Sequence, residues 1–114
     1  FWVMRDDGAV LLRRRPEKGL LGGMIEVPST DWLEAEWTVV EARKAAPVNS
    51  AWKSLPGMVR HTFTHFHLEL SILATRVGAD EAPAGAIWST PDRLGEQALP
   101  TVMKKVVNLA LKAD

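Results

Sequence analysis

Two periodicities divide the chain. Phe1 to Arg5 reads as a short strand, and Ala9 to Arg14 as the strand returning from it, with Val10 and Leu12 on one face. Asp6-Asp7-Gly8 between them is a hairpin-type turn signal. Met24 to Val27 predicts another short strand. A plain strand from Glu69 to Val77 follows from Leu68, Leu70, Ile72 and Ala74 alternating with His67, Glu69, Ser71 and Thr75, as in a half-buried antiparallel strand. Ala86-Ile87-Trp88 is a further short strand. Helical spacing links Trp37, Val40 and Lys44, which predicts a helix from Trp37 to Ala45 that Pro47 stops. The group Pro28-Ser29-Thr30-Asp31 ends the preceding strand and can cap a helix. Thr90-Pro91-Asp92 begins a short helical turn to about Glu96. The strongest helix starts at Leu99-Pro100, with Leu99, Met103, Val106 and Ala110 as an apolar stripe and Lys104, Asn108 and Lys112 as a polar one. Pro47 to Gly57 reads as a loop anchored by Trp52 and Leu55, and Gly78 to Gly85 as a turn-rich connector. Strands, a helix, more strands and a closing helix describe an α+β domain with a mixed sheet.

One stretch resists both periodicities. In Arg60-His61-Thr62-Phe63-Thr64-His65-Phe66-His67-Leu68, a regular strand would put His61, Phe63, His65 and His67 on one face and Thr62, Thr64, Phe66 and Leu68 on the other. Each face would then mix imidazole or hydroxyl with aromatic or aliphatic groups, a poor core pattern. Regular alternation is therefore expected to break near Phe63-Thr64-His65, presenting these side chains at a strand end or loop, where binding groups tend to sit.

Composition narrows the function classes. The 114 residues are enough for one domain with its own core. No apolar run approaches ~20 residues, so no membrane-spanning helix is expected. The chain opens directly on a strand, which suggests a piece of a longer protein. With no cysteine in the sequence, disulfides, thiol catalysis and cysteine-bound zinc or iron–sulfur clusters are excluded within the chain, and a reducing compartment fits. Lys+Arg and Asp+Glu both number 14, so there is no global basic signal for nucleic acid. The basic groups are local: Arg13, Arg14, Arg15 and Lys18, then Arg60 in the irregular stretch, then Lys104 and Lys105. They can meet DNA phosphates or form a solvated strand edge that resists edge pairing. The five tryptophans serve as core anchors or as base-stacking platforms.

Three further motifs bear on chemistry. His61, His65 and His67 could form a three-histidine metal site. His61 and His65 are separated by roughly 13 Å on a strand, so no metal site is expected unless the loop folds back. Gly19-Leu20-Leu21-Gly22-Gly23 lacks the Gly-Lys-Ser/Thr ending of a phosphate loop and reads as a tight turn. In Trp37 to Ala46 a single carboxylate, Glu41, remains, where magnesium-dependent diphosphate chemistry needs several.

Three segments together resemble one family: Leu11 to Pro28, Val59 to Phe66 with its Arg60-His61-Thr62-Phe63-Thr64-His65 run, and Ala98 to Val106. They resemble the C-terminal domain of MutY-type adenine DNA glycosylases, and the likeness covers essentially the whole chain. The resemblance implies a Nudix-like α/β/α sandwich with a mixed sheet. It implies that the domain helps recognise 8-oxoguanine opposite adenine in double-stranded DNA. It implies no catalytic residue here: excision and the iron–sulfur cluster belong to an N-terminal catalytic domain. A cytoplasmic, DNA-associated bacterial setting goes with it. Phe63, Thr64 and His65 match the family's Phe-Ser/Thr-His loop that reaches the lesion base. Gly23 to Pro28 resembles the start of a Nudix hydrolase motif, but the acidic helix that follows in such hydrolases is not matched.

The match has a physical rationale. Guanine presents an acceptor at N7, whereas oxidation at C8 makes N7 a donor and adds an acceptor at O8. The Thr64 hydroxyl can accept from the N7 hydrogen, and a hydroxyl or backbone N–H can donate to O8. His65 can contact a phosphate or orient the loop, and Phe63 can wedge or stack. The competing functions are a Nudix hydrolase of oxidised nucleotides and a protein-interaction domain of the same fold.

Overall fold

The computed structural model describes residues 1–80 and 82–113. Its centre is a mixed sheet of six strands. In spatial order they are β3 (Ile25–Glu26), β2 (Val10–Arg14), β1 (Trp2–Arg5), β7 (Leu73–Val77) and β4 (Lys53–Ser54), with β8 (Ile87–Ser89) paired to β2. A separate two-stranded sheet joins β5 (Val59–Thr62) to β6 (His67–Leu70). The helices are α1 (Val39–Arg43), a 3₁₀ helix over Pro91–Glu96 and α2 (Thr101–Ala113).

The period-2 reading of the first hairpin holds, and both of its faces are buried. Trp2, Met4, Val10 and Leu12 enter a core cluster with Val102, Met103, Val106 and Ala110 of α2. Val3 and Leu11 point the other way, into a second cluster with Val48, Trp52, Leu73 and Val77. This is the layering of a Nudix-like sandwich, with unequal layers. The 13 residues of α2 cover one face, whereas on the other the five-residue α1 contributes only Ala42 beside the Val48–Trp52 segment. Asp6-Asp7-Gly8 turns the hairpin as expected, with Arg5 N–H donating to Ala9 O and Gly8 at φ +91°.

Several expectations are corrected. The run from Glu69 to Val77 is two strands in two sheets. β6 pairs antiparallel with β5, and after Ser71-Ile72 the chain enters the main sheet as β7, parallel to β1 and antiparallel to β4. The alternation survives the break, because Leu68, Leu70, Ile72 and Ala74 all meet the same core cluster. Period alone reports which side faces the core, not which neighbour pairs. The helix expected from Trp37 to Ala45 shrinks to Val39–Arg43 and buries no side chain. Its cap is Thr38, whose hydroxyl accepts from Glu41 N–H at 3.1 Å, rather than the Pro28–Asp31 group, which lies in a loop. The strand over Met24 to Val27 is reduced to Ile25–Glu26. Pro47 to Gly57 contains β4, with Trp52 and Leu55 packed as anchors. The connector from Gly78 to Gly85 includes residue 81, which lies outside the described residues. Among the described residues no helix is long and apolar enough to cross a membrane.

Candidate functional site

The irregular stretch is a hairpin. β5 and β6 pair from Val59↔Leu70 through Thr62↔His67, and Phe63 N–H closes the loop onto Phe66 O at 2.8 Å. Alternation breaks at Phe63 to Phe66, where the mixed faces had made a regular strand unfavourable. Thr64 and His65 form the exposed tip, and neither side chain makes a hydrogen bond within the described residues.

The tip stands on a braced stem. Thr62 Oγ1 and His67 Nδ1 lie 2.9 Å apart across the strands, and Arg60 Nε donates to Glu69 Oε2 at 3.0 Å. From α2, the Lys105 ammonium donates to Arg60 O and to His61 Nδ1, both at 3.0 Å. An ammonium has no acceptor lone pair, so Nδ1 of His61 accepts. Beneath the loop the aromatic rings form a ladder. Phe63 stacks on Phe66 at 4.8 Å, makes a T-shaped pair with His61 at 4.7 Å and lies 5.9 Å from Trp32, all between ring centres. The Arg15 guanidinium sits over the Trp32 ring, 4.4 Å from its centre, extending the series to the residue that follows β2.

The arginine cluster is divided between interior and surface. Glu26, buried in β3, takes Arg13 Nε on one carboxylate oxygen and an Arg15 terminal nitrogen on the other, each at 2.8 Å. Arg13 also donates to Ser29 O, Arg15 to Leu20 O and Arg14 to Gly23 O. Lys18 is exposed, and Arg60 is exposed with its salt bridge to Glu69. Of the basic residues read as candidate phosphate contacts, Arg13 and Arg15 are tied to the buried Glu26, the Arg13 side chain still 39% exposed, while Arg14, Lys18 and Arg60 are exposed. The sequence reading missed Glu26 as the centre of this cluster. Its signal was a lone carboxylate between Ile25 and Val27, facing an arginine triplet across one hairpin. It also missed Trp32 and Lys105 as supports of the tip, since nothing local links either to Phe63 or His61.

The carboxylate in the hydrolase-like motif and the one in the helix after it are already engaged. Glu26 is clamped by two arginines, and Glu41 sits in the Thr38 cap, its carboxylate 3.3 Å from that hydroxyl. Among the described residues no three His, Asp or Glu side chains converge on a point that could hold a metal ion. The three histidines diverge: His61 faces Lys105, His67 faces Thr62 and His65 lies at the tip. A groove of about 500 Å³ runs between the Ser29–Val39 loop and the β6–β7 crossing, lined in part by Trp32, Leu33, Trp37, Met58 and Ile72.

Comparison with known proteins adds an independent line. The model of a NUDIX domain matches residues 1–109. Human adenine DNA glycosylase is 34% identical over 118 residues, covering 91% of this chain and 22% of that protein. The mouse adenine DNA glycosylase is 33% identical over 109 residues, covering 88% of this chain and 21% of that protein. The chain thus spans about a fifth of the length of these relatives. The C-terminal domain of mouse MUTYH, in a crystal structure of its complex with human PCNA, superposes with a TM-score of 0.77 at 28% identity over 97% of this chain and 83% of that one. A MutT protein from Methanosarcina mazei Go1 shares the fold, with a TM-score of 0.74 at 16% identity over 97% of this chain and 89% of that chain.

Proposed function

The chain belongs to the NUDIX domain family and is similar over nearly its whole length to the C-terminal domain of mouse MUTYH, and from that premise we propose that it recognises 8-oxoguanine opposite adenine in duplex DNA, while another domain of an adenine DNA glycosylase excises the adenine. The observation that carries this reading is the hairpin tip. Thr64 and His65 are exposed, have no partner within the described residues and stand on a packed aromatic base. A hydroxyl held in that way can accept from N7–H of the oxidised base, and a backbone N–H or the same hydroxyl can donate to O8. Against guanine, the same site meets an acceptor at N7 and no O8, and an unsatisfied buried polar group costs ~1–3 kcal/mol. Arg14, Lys18 and Arg60, all exposed, are the cations this reading assigns to phosphate contact. The iron–sulfur cluster belongs outside this chain, which contains no cysteine to ligate it.

The test is Thr64→Ala in the full-length glycosylase. Loss of one lesion-specific hydrogen bond lowers discrimination by roughly 1 kcal/mol, several-fold in the ratio of adenine-release rates for 8-oxoguanine:adenine over guanine:adenine. Thr64→Ser retains most of the ratio, because the hydroxyl survives. An unchanged ratio in both Thr64→Ala and the Thr64/His65 double alanine variant removes this hairpin as the lesion reader.

A further inference from the structure

Phe63 is an aromatic candidate for contact with DNA, but its ring is half-buried and packed on several sides. It packs against the main core cluster, stacks on Phe66 with 27° between the planes, meets His61 in a T-shaped pair and has Trp32 beside it. Phe66 differs. One of its faces lies against Phe63, and the residue is 43% exposed, a large apolar ring held out to water. Its backbone is fixed, since Phe66 O accepts the Phe63 N–H that closes the loop.

We propose that Phe66 is the aromatic surface this hairpin offers to DNA, stacking on a nucleobase beside the lesion while Phe63 acts as its pedestal. The proposal rests on the function proposed above and adds the residue that holds the helix open next to the base being read. A continuous series of contacts supports the ring from the interior: the Glu26 carboxylate binds Arg15, Arg15 covers Trp32, Trp32 lies beside Phe63, and Phe63 stacks on Phe66. Such backing keeps a wedge from folding away when it enters a base step. The tip itself carries no negative charge. Residues 61–67 contain no carboxylate, and Lys105 stands at the stem beside Arg60, whose guanidinium is paired with Glu69. Every base has a flat π face, so this contact tolerates any sequence, whereas the Thr64 hydroxyl reads one edge. The two roles fall on residues two positions apart in one turn.

The experiment uses the full-length glycosylase, with matched duplexes holding 8-oxoguanine or guanine opposite a non-cleavable adenine analogue and a fluorescent purine beside that position. Phe66→Ala is expected to weaken binding to both duplexes roughly tenfold, leaving their ratio unchanged, and to abolish quenching of the neighbouring purine. Phe66→Trp is expected to restore both signals; Phe66→Leu, which keeps apolar volume without a ring, is expected to restore affinity only in part. Binding within about twofold of the parent protein in Phe66→Ala, with quenching intact, overturns the proposal. So does a loss of affinity in Phe66→Ala that Phe66→Trp does not recover. The lesion-reading role fails separately, through an unchanged duplex ratio in Thr64→Ala; a tenfold loss in Phe66→Ala alongside that result still supports stacking.

Discussion

Glu26 shows how much one side chain organises here. Its carboxylate is 4% exposed and joins two arginines from the neighbouring strand and the loop beyond it. Removing it leaves two guanidinium groups close together with no counter-charge. Because Arg13 and Arg15 retain some contact with solvent, Glu26→Ala is expected to cost about 2–3 kcal/mol, below the range for breaking a fully buried pair. Urea unfolding measures it, and a loss under about 0.5 kcal/mol would show that water replaces the carboxylate. A second residue sets an acid response. The Arg5 guanidinium, with help from the Ala9 N–H, holds the Asp7 carboxyl at about 2, below its usual 3.8. A carboxyl with a depressed folded-state pKa stabilises the fold above its ordinary pKa, and that stabilisation disappears as pH falls through the depressed value. The urea midpoint of the parent chain should therefore fall between pH values of about 4 and about 2, and Asp7→Asn should flatten that part of the fall. At this scale the sequence was legible where local chemistry conflicted with periodicity. Thr64 and His65 were placed at a tip because neither strand face could accommodate the segment. Phe63 was given a surface role because its cover, Trp32, comes from a distant loop.

Among the elements, the Pro16–Gly23 loop is shaped by close backbone approach. A Cβ on Gly22 would lie 2.1 Å from Glu17 O, a collision with main chain that no rotamer relieves. Gly95, in the 3₁₀ helix, has nothing within 4 Å of the same added atom and no positive φ. The paired expectation is that Gly22→Ala destabilises by roughly 1–3 kcal/mol, while Gly95→Ala is neutral or stabilises by up to about 1 kcal/mol through the unfolded chain. Thermal melts of the two variants shifting in the same downward direction by the same amount would contradict this. Element length limited what the sequence disclosed. β4 is two exposed residues, Lys53 and Ser54, with no alternation to detect. The middle helix was overestimated because Trp37 and Val40 share helical spacing with no core for that face to meet; both remain exposed. α2, long and amphipathic, was placed closely, with Met103, Val106 and Ala110 buried as its stripe required.

For the whole molecule, opposite charges balance, and the internal roles of Arg13 and Arg15 reduce the cations available outside. Arg14, Lys18 and Arg60 are the exposed cations proposed for phosphate contact. Three such contacts set a limit of about −3 on the slope of log affinity against log salt for the chain alone on duplex DNA. Binding should be weak at physiological salt. A steeper slope or submicromolar affinity there, measured by fluorescence anisotropy across a salt series, would reveal a larger basic surface than these residues provide. The sandwich and its mixed sheet were legible through the family resemblance and the strand pattern. The parallel pairing of β1 with β7 was not, because it depends on a crossing that alternation does not mark.

That crossing has a kinetic consequence. Ser71 and Ile72 alone separate the hairpin's second strand from β7, which lies between β1 and β4 in the main sheet, and Lys105 ties the first strand to α2. A tip mounted in this way has little freedom to lose when it meets a base, and little ability to reshape itself around a poor fit. In the lesion-reading role proposed above, a mismatch would then be answered by early release rather than by slow local ordering. On a long duplex dominated by undamaged guanine, the dwell time at each incorrect site would set how quickly the correct one is found. Under that proposal a stiff probe gives short dwells, and stringency and search speed come from the same two-residue tether.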